Sequence, residues 1–106
     1  VIKLKKLFQD ELYEEFGADI PVECGDGWYN LIYKCLEELE KYNIEIAQIK
    51  EKYGELRIYV YEYNPEVEKI IEKYSKLSTE TCEICGQPGV MATINGWTQT
   101  LCDRHR

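Results

Sequence analysis

Apolar positions along the chain recur first at helical spacing, then at strand spacing, then at helical spacing again. Leu4, Leu7, Phe8, Leu12 and Phe16 fall three or four apart, which predicts a helix over residues 3–16. Gly17 supplies its stop, because glycine adopts the left-handed backbone that a helix end needs. Ala18 to Gly27 reads as a loop holding Pro21, Gly25 and Gly27, and Asp26 is placed to cap the next helix with its carboxylate. Trp28, Leu31, Ile32, Cys35, Leu36 and Leu39 form the stripe of that second helix, expected to run to about Lys41.

The period then drops to two. Ile44 to Lys50 and Leu56 to Tyr63 are β-rich, and Glu51-Lys52-Tyr53-Gly54-Glu55 between them suits a hairpin closed by a bulged turn. In the second strand Leu56, Ile58 and Val60 point one way, and Arg57, Tyr59, Tyr61 and Tyr63 the other. Asn64-Pro65 reads as a cap followed by a first helical position. A third helix follows, with Val67, Ile70, Ile71, Tyr74 and Leu77 on one face and a polar joint from Leu77 to Thr81. The pattern predicts an α+β fold: three helices packed on a β-hairpin over residues 1–77, then a small module over 78–106, the two forming one compact unit.

With 106 residues the chain has room for one core, and a core this small gains from an added staple. The formal net charge of -7 is uneven: the body holds 11 basic and 17 acidic residues, the last 29 only 2 and 3. An acidic chain repels phosphates at long range, so nucleic acid is disfavoured and a protein partner is favoured. No apolar run is long enough to span a membrane. Val1 to Phe8 is too broken by charge for a signal peptide. A soluble, cytoplasmic protein is the expectation.

The staple is visible in the last residues. Cys82, Cys85, Cys102 and His105 form a C-x2-C-x16-C-x2-H pattern. Two residues between donors let one tight turn aim both side chains at one ion, and Gly86 lets backbone amides approach the sulfurs. The intervening stretch supplies a hairpin out and back: Val90 to Ile94, an Asn95-Gly96 turn, and Trp97 to Leu101. Three thiolates and one imidazole satisfy a tetrahedral structural Zn2+ with no open position. Knuckle, hairpin and ligands on a last helical turn resemble a treble-clef zinc finger, so the expected fold is an α+β body with a C-terminal treble-clef-like zinc module.

Other residues carry weaker chemistry. Cys24 lies just before a helix start, where a thiol can be activated. The only histidine belongs to the metal set, so Cys24 lacks a base and reads as a small residue in a turn. Cys35 sits on an apolar stripe. Glu23 with Asp26 pairs two carboxylates without a convergent third group. Lys50, Lys52 and Arg57 cluster at the hairpin tip, diluted by Glu51 and Glu55. The Arg57, Tyr59, Tyr61, Tyr63 stripe is the candidate partner-binding surface, and three roles are open to it: stacking bases, anchoring a protein partner, or lying beneath the zinc module or a helix.

Several segments together resemble a family of small uncharacterised bacterial and prophage-type proteins. These are Gly25-Asp26-Gly27-Trp28 with Leu31-Ile32, Gln48 through Val60, Cys82-x-x-Cys85-Gly86 with Pro88-Gly89, and Gly96-Trp97-x-x-Thr100-Leu101-Cys102-Asp103-x-His105. That family shares a GDGW segment, a KEKFGGLRFY-like hairpin and a C-terminal CxxCG…GW..TLCxxH zinc motif; Tyr53 and Glu55 stand where Phe and Gly are common. The resemblance implies a phage or mobile-element accessory protein. The expected function is a non-enzymatic, zinc-stabilised binding or adaptor protein docking on a host or phage protein, such as a host defence component. The alternative is a nucleic-acid-binding regulator using the tyrosine face and nearby basic residues, and a third reading is an enzyme built on Cys24 or the metal.

Overall fold

The computed structural model describes residues 22–106. The helix expected over residues 3–16, with its stop at Gly17, lies outside the described residues. Within them the chain begins with a two-residue strand β1 (Val22–Glu23) and a 3-10 turn (Asp26–Trp28) that runs into helix α1 (Tyr29–Leu39). A second 3-10 turn (Glu40–Tyr42) leads to strands β2 (Ile46–Lys52) and β3 (Glu55–Val60), then helix α2 (Pro65–Ser78), then strands β4 (Val90–Ile94) and β5 (Trp97–Leu101). The result is a mixed α+β domain. Among the described residues it has two α-helices and two sheets, where three helices on the first hairpin, followed by a second hairpin in the C-terminal module, were expected of the whole chain.

β1 corrects the loop expected from Ala18 to Gly27. Val22 and Glu23 pair in parallel with Ile49 and Lys50, which gives a three-stranded sheet ordered β1-β2-β3. A strand of two residues has no periodicity of its own, and its partner lies far along the chain.

The first hairpin is tighter than expected. Lys52 pairs with Glu55, so only Tyr53 and Gly54 make the turn, at φ 54° and 80°. That primed geometry matches the twist of the strands it joins. The Gly54 N–H donates to Glu51 Oε2 at 2.7 Å. The expected bulge is at the other end of the ladder, where the register shifts between Ile46 and Gln48. Beyond it β3 stops at Val60 instead of Tyr63, so Tyr61 and Tyr63 lie past the strand. The stripe of four expected on one strand face is therefore only Arg57 and Tyr59.

Of the two expected helix caps, one forms and one does not. Asn64 Oδ1 accepts from the N–H of Glu66 (2.9 Å) and Val67 (3.2 Å), and Pro65 takes the first position of α2 as expected. Asp26 makes no capping bond; both its carboxylate oxygens are buried without a hydrogen-bond partner. The glycines on either side of it are packed backbone-first against the metal-binding turn, and that contact sets the orientation of the segment. Helical structure at the far end of α1 closes where Asn43 takes a left-handed conformation (φ 52°).

The core lies between the helices and one face of the three-stranded sheet. Trp28, Ile32, Cys35, Leu36 and Leu39 meet Ile49, Leu56 and Ile58 from the sheet and Val67, Ile71 and Tyr74 from α2. Each buried aliphatic side chain contributes about 1.5–3 kcal/mol. On α2 the buried line is Val67, Ile71, Tyr74 and Ser78, while Leu77, expected on that face, is exposed. Ser78 is turned inward by bonding: its Oγ accepts from the Leu56 N–H at 2.9 Å and donates to the Ser75 carbonyl at 2.5 Å. No helix among the described residues is long and apolar enough to cross a membrane.

Candidate metal centre

The segment from Glu80 to Gly89 folds into a tight reversal held by its own backbone. Cys82 N–H donates to Gln87 O (2.7 Å), Gly86 N–H to Cys82 O (2.9 Å) and Gly89 N–H to Glu80 O (2.9 Å). Gly86 takes φ 84°, a conformation that side chains rarely adopt. This turn carries Cys82 and Cys85. The expected hairpin then forms residue for residue, with Asn95 and Gly96 at φ 54° and 78°. After β5 a single turn closes the site, His105 N–H donating to Cys102 O at 3.1 Å.

These elements bring Cys82, Cys85, Cys102 and His105 together, with all four donor atoms within 4.8 Å of one another. Cys85 Sγ and Cys102 Sγ are 3.7 Å apart, and His105 Nδ1 is 3.2 Å from Cys102 Sγ and 3.6 Å from Cys82 Sγ. Thiolates about 2.3 Å from a tetrahedral ion would be about 3.8 Å apart, so the donor set fits one ion.

The electrostatics favour thiolate at the inner sulfur. Burial raises the Cys82 thiol, but backbone N–H groups of Cys85, Cys102 and Ile84 outweigh it and bring the thiol down to about 6. Cys85 moves the other way: the Gln87 N–H lowers it, but desolvation and the adjoining sulfurs of Cys102 and Cys82 leave it raised. A cation among the sulfurs is what relieves that crowding.

The Gly25-Asp26-Gly27-Trp28 segment clamps the body onto this turn. Gly27 N–H donates to Glu83 O (2.7 Å), Gly25 N–H to Glu83 Oε2 (2.9 Å), and the Trp28 indole N–H to Thr81 O (2.9 Å). A β-carbon on Gly27 would be 2.2 Å from the Cys82 carbonyl oxygen, and one on Gly25 2.3 Å from that of Glu83. Only hydrogen fits at either place. The role of the segment was not apparent in the sequence, although two glycines flanking a residue before a buried Trp were the available signal.

A second contact joins the hairpins. The fully buried Thr100 donates from Oγ1 to Gly54 O at 2.6 Å, and the Gly54 turn lies against Thr98 and Gln99. The β4–β5 hairpin thereby turns its threonine side toward the body. Its opposite side, Val90, Ala92, Ile94, Trp97, Gln99 and Leu101, lines an open cleft of about 210 Å³ with His105 and Arg106. Val90, Ile94 and Trp97 are more than half exposed. An apolar strand face normally packs on a core, so the alternation alone points the wrong way here.

The remaining sequence candidates scatter. Tyr59, Tyr61 and Tyr63 are exposed, and neither the metal module nor a described helix covers them. Arg57 pairs with Glu55 at 3.0 Å. Cys24 and Cys35 are buried in the core; burial, then the nearby Glu38, pushes the Cys35 thiol up to about 12. Glu23 accepts from the Gln48 amide at 2.7 Å instead of joining Asp26. Compared with protein-family models, curated proteins and solved structures, the chain finds no match.

Proposed function

We propose that this is a zinc-stabilised binding module that acts by docking on another protein, without catalysis of its own. The observation that carries the reading is the outward apolar face of the β4–β5 hairpin, with Val90, Ile94 and Trp97 open to solvent beside the metal centre. Exposed contiguous apolar surface rimmed by polar groups is a mark of an interaction site. Tryptophan is enriched among the residues that anchor such contacts. The aromatic surface of Tyr59, Tyr61 and Tyr63 with Arg57 offers the partner a second face.

The ion in this reading is zinc, because three thiolates and an imidazole form a soft, tetrahedral donor set. Four protein donors complete its coordination, so its role is structural, and the turn–hairpin–turn order makes the module treble-clef-like. The motif resemblance supplies a setting, a phage or mobile-element accessory factor, in which the partner is a host or phage protein.

The test compares the native chain with Ile94→Ser/Trp97→Ser as immobilised proteins, with host lysate applied both untreated and after nuclease treatment. A protein retained by the native chain and lost from the variant supports docking through this face, provided the variant keeps its metal and its melting temperature. Retention of nucleic acid alone overturns the reading, as does equal retention of protein by both chains. Metal analysis of purified chain is expected to find one zinc per molecule.

A further inference from the structure

β3 is an edge strand of the three-stranded sheet. Glu55, Arg57 and Tyr59 direct their backbone bonds inward to β2, so Leu56, Ile58 and Val60 present theirs outward. α2 satisfies the first of these. Ser78 Oγ accepts from the Leu56 N–H at 2.9 Å, and Ser75 Oγ donates to the Leu56 carbonyl at 2.7 Å. Among the described residues no bond from another element reaches Ile58 or Val60 on this edge.

Where the serines stop, α2 and β3 part to leave a groove of about 560 Å³. Ile58, Val60 and Ile71 supply its apolar lining. Glu68 and Glu72 form the upper part of its helical wall and Ser75 and Lys76 the lower, while Arg57 on the strand side is already paired with Glu55. The Glu68 and Glu72 carboxylates are one turn apart, both exposed, and neither forms an ion pair with a described residue. Like charges at that spacing repel each other and weaken the helix, a strain that a bound cation relieves. Four residues of helix rise about 6 Å. Two residues of strand rise about 6.6 Å. Alternate side chains of an extended segment thus match the spacing of Glu68 and Glu72.

We propose that this edge and groove bind an extended basic peptide of a partner protein, added to β3 as the fourth strand of the sheet. Its backbone bonds to Ile58 and Val60. Its alternate Lys or Arg side chains lay their aliphatic stems along Ile58 and Ile71 and bring their charges to Glu68 and Glu72. The inference rests on the reading of the protein as a protein-binding module, at a surface separate from the β4–β5 hairpin.

The test is an amide NMR titration of the full, metal-loaded chain with the blocked hexapeptide Lys-Thr-Lys-Val-Lys-Thr. Saturable shifts at Ile58, Val60, Glu68 and Glu72 are expected. The variant Glu68→Lys/Glu72→Lys is expected to bind about tenfold more weakly or worse while keeping its metal and melting temperature. The Glu-Thr-Glu-Val-Glu-Thr peptide is expected to leave the spectrum unchanged. So are forms of the basic peptide N-methylated at alternate residues, in whichever of the two registers blocks the bonds to β3. Absence of shifts with the basic peptide overturns the proposal, as do equal shifts from both N-methylated forms, which would mean charge attraction without strand pairing. Either failure leaves retention through Ile94 and Trp97 untouched, so it is distinguishable from failure of the docking reading.

Discussion

The indole N–H of Trp28 donates to the carbonyl of Thr81 at 2.9 Å, one residue before the first metal-binding thiol. The ring is completely buried in the body core. One side chain therefore anchors the core and holds the strand of chain that delivers Cys82. Trp28→Phe keeps most of the apolar volume but leaves the Thr81 carbonyl without its partner, so a loss of about 1–3 kcal/mol is expected. Denaturant unfolding of the metal-loaded protein measures it, and competition with a chelator is expected to show weaker metal retention in the same variant.

Two glycines separate close approach from backbone freedom. Gly27→Ala drives a β-carbon toward the Cys82 and Glu83 backbones, neither of which can yield without moving the metal-binding turn. It is expected to lower both stability and metal affinity. Gly96→Ala meets open space and suffers only from its positive φ, at a cost of about 1–2 kcal/mol. Thermal melts of the two variants beside metal retention make the comparison; equal metal loss in both would remove the special role of Gly27.

Metal removal tests the module as a staple. Ligand binding energy is folding energy when the site does not exist in the unfolded chain. Cys82→Ser or Cys102→Ser is expected to cost about 4 kcal/mol or more. Chelator added to the native chain is expected to lower its melting temperature, and stoichiometric zinc to restore it. Near-ultraviolet circular dichroism follows Trp28 through the same cycle.

Glu38 links the two helices and sets part of the acid response. The Tyr74 hydroxyl and then the Lys73 ammonium donate to its carboxylate, and together they hold it below the ordinary glutamate value. A depressed carboxyl contributes stability that is full above its unfolded value of about 4.3 and is lost as pH falls through its folded value. Glu38→Gln is expected to be less stable than the native chain at pH 7, with the difference closing below pH of about 4. Urea unfolding of both proteins across that range checks it; a constant difference would mean that the charge plays no part.

Much of the architecture was legible in order and type. The stripe of α1, the Asn64-Pro65 start of α2, and both hairpins follow from local spacing, which is a property of consecutive residues. The four metal donors were legible for a related reason: their chemistry is distinctive and their spacing is short within each pair. Boundaries were less so. β3 ends at Val60 because the ladder changes register near Ile46, and that depends on the partner strand.

What the sequence alone determined is therefore the helix and strand pattern and the identity of the metal set. Tertiary structure decided where those pieces meet. β1 exists only because β2 lies beside it. Gly25 and Gly27 have a role only because the Glu83 backbone reaches them, and Ser78 is buried because Leu56 offers an N–H at the sheet edge. The β4–β5 hairpin shows the difference most plainly. Its alternation identifies an apolar side and a threonine side, but a single hairpin can be covered on either one. The hydrogen bond from Thr100 to Gly54, a long-range contact with no local signature, turns Thr100 inward and leaves Trp97, Ile94 and Val90 facing solvent.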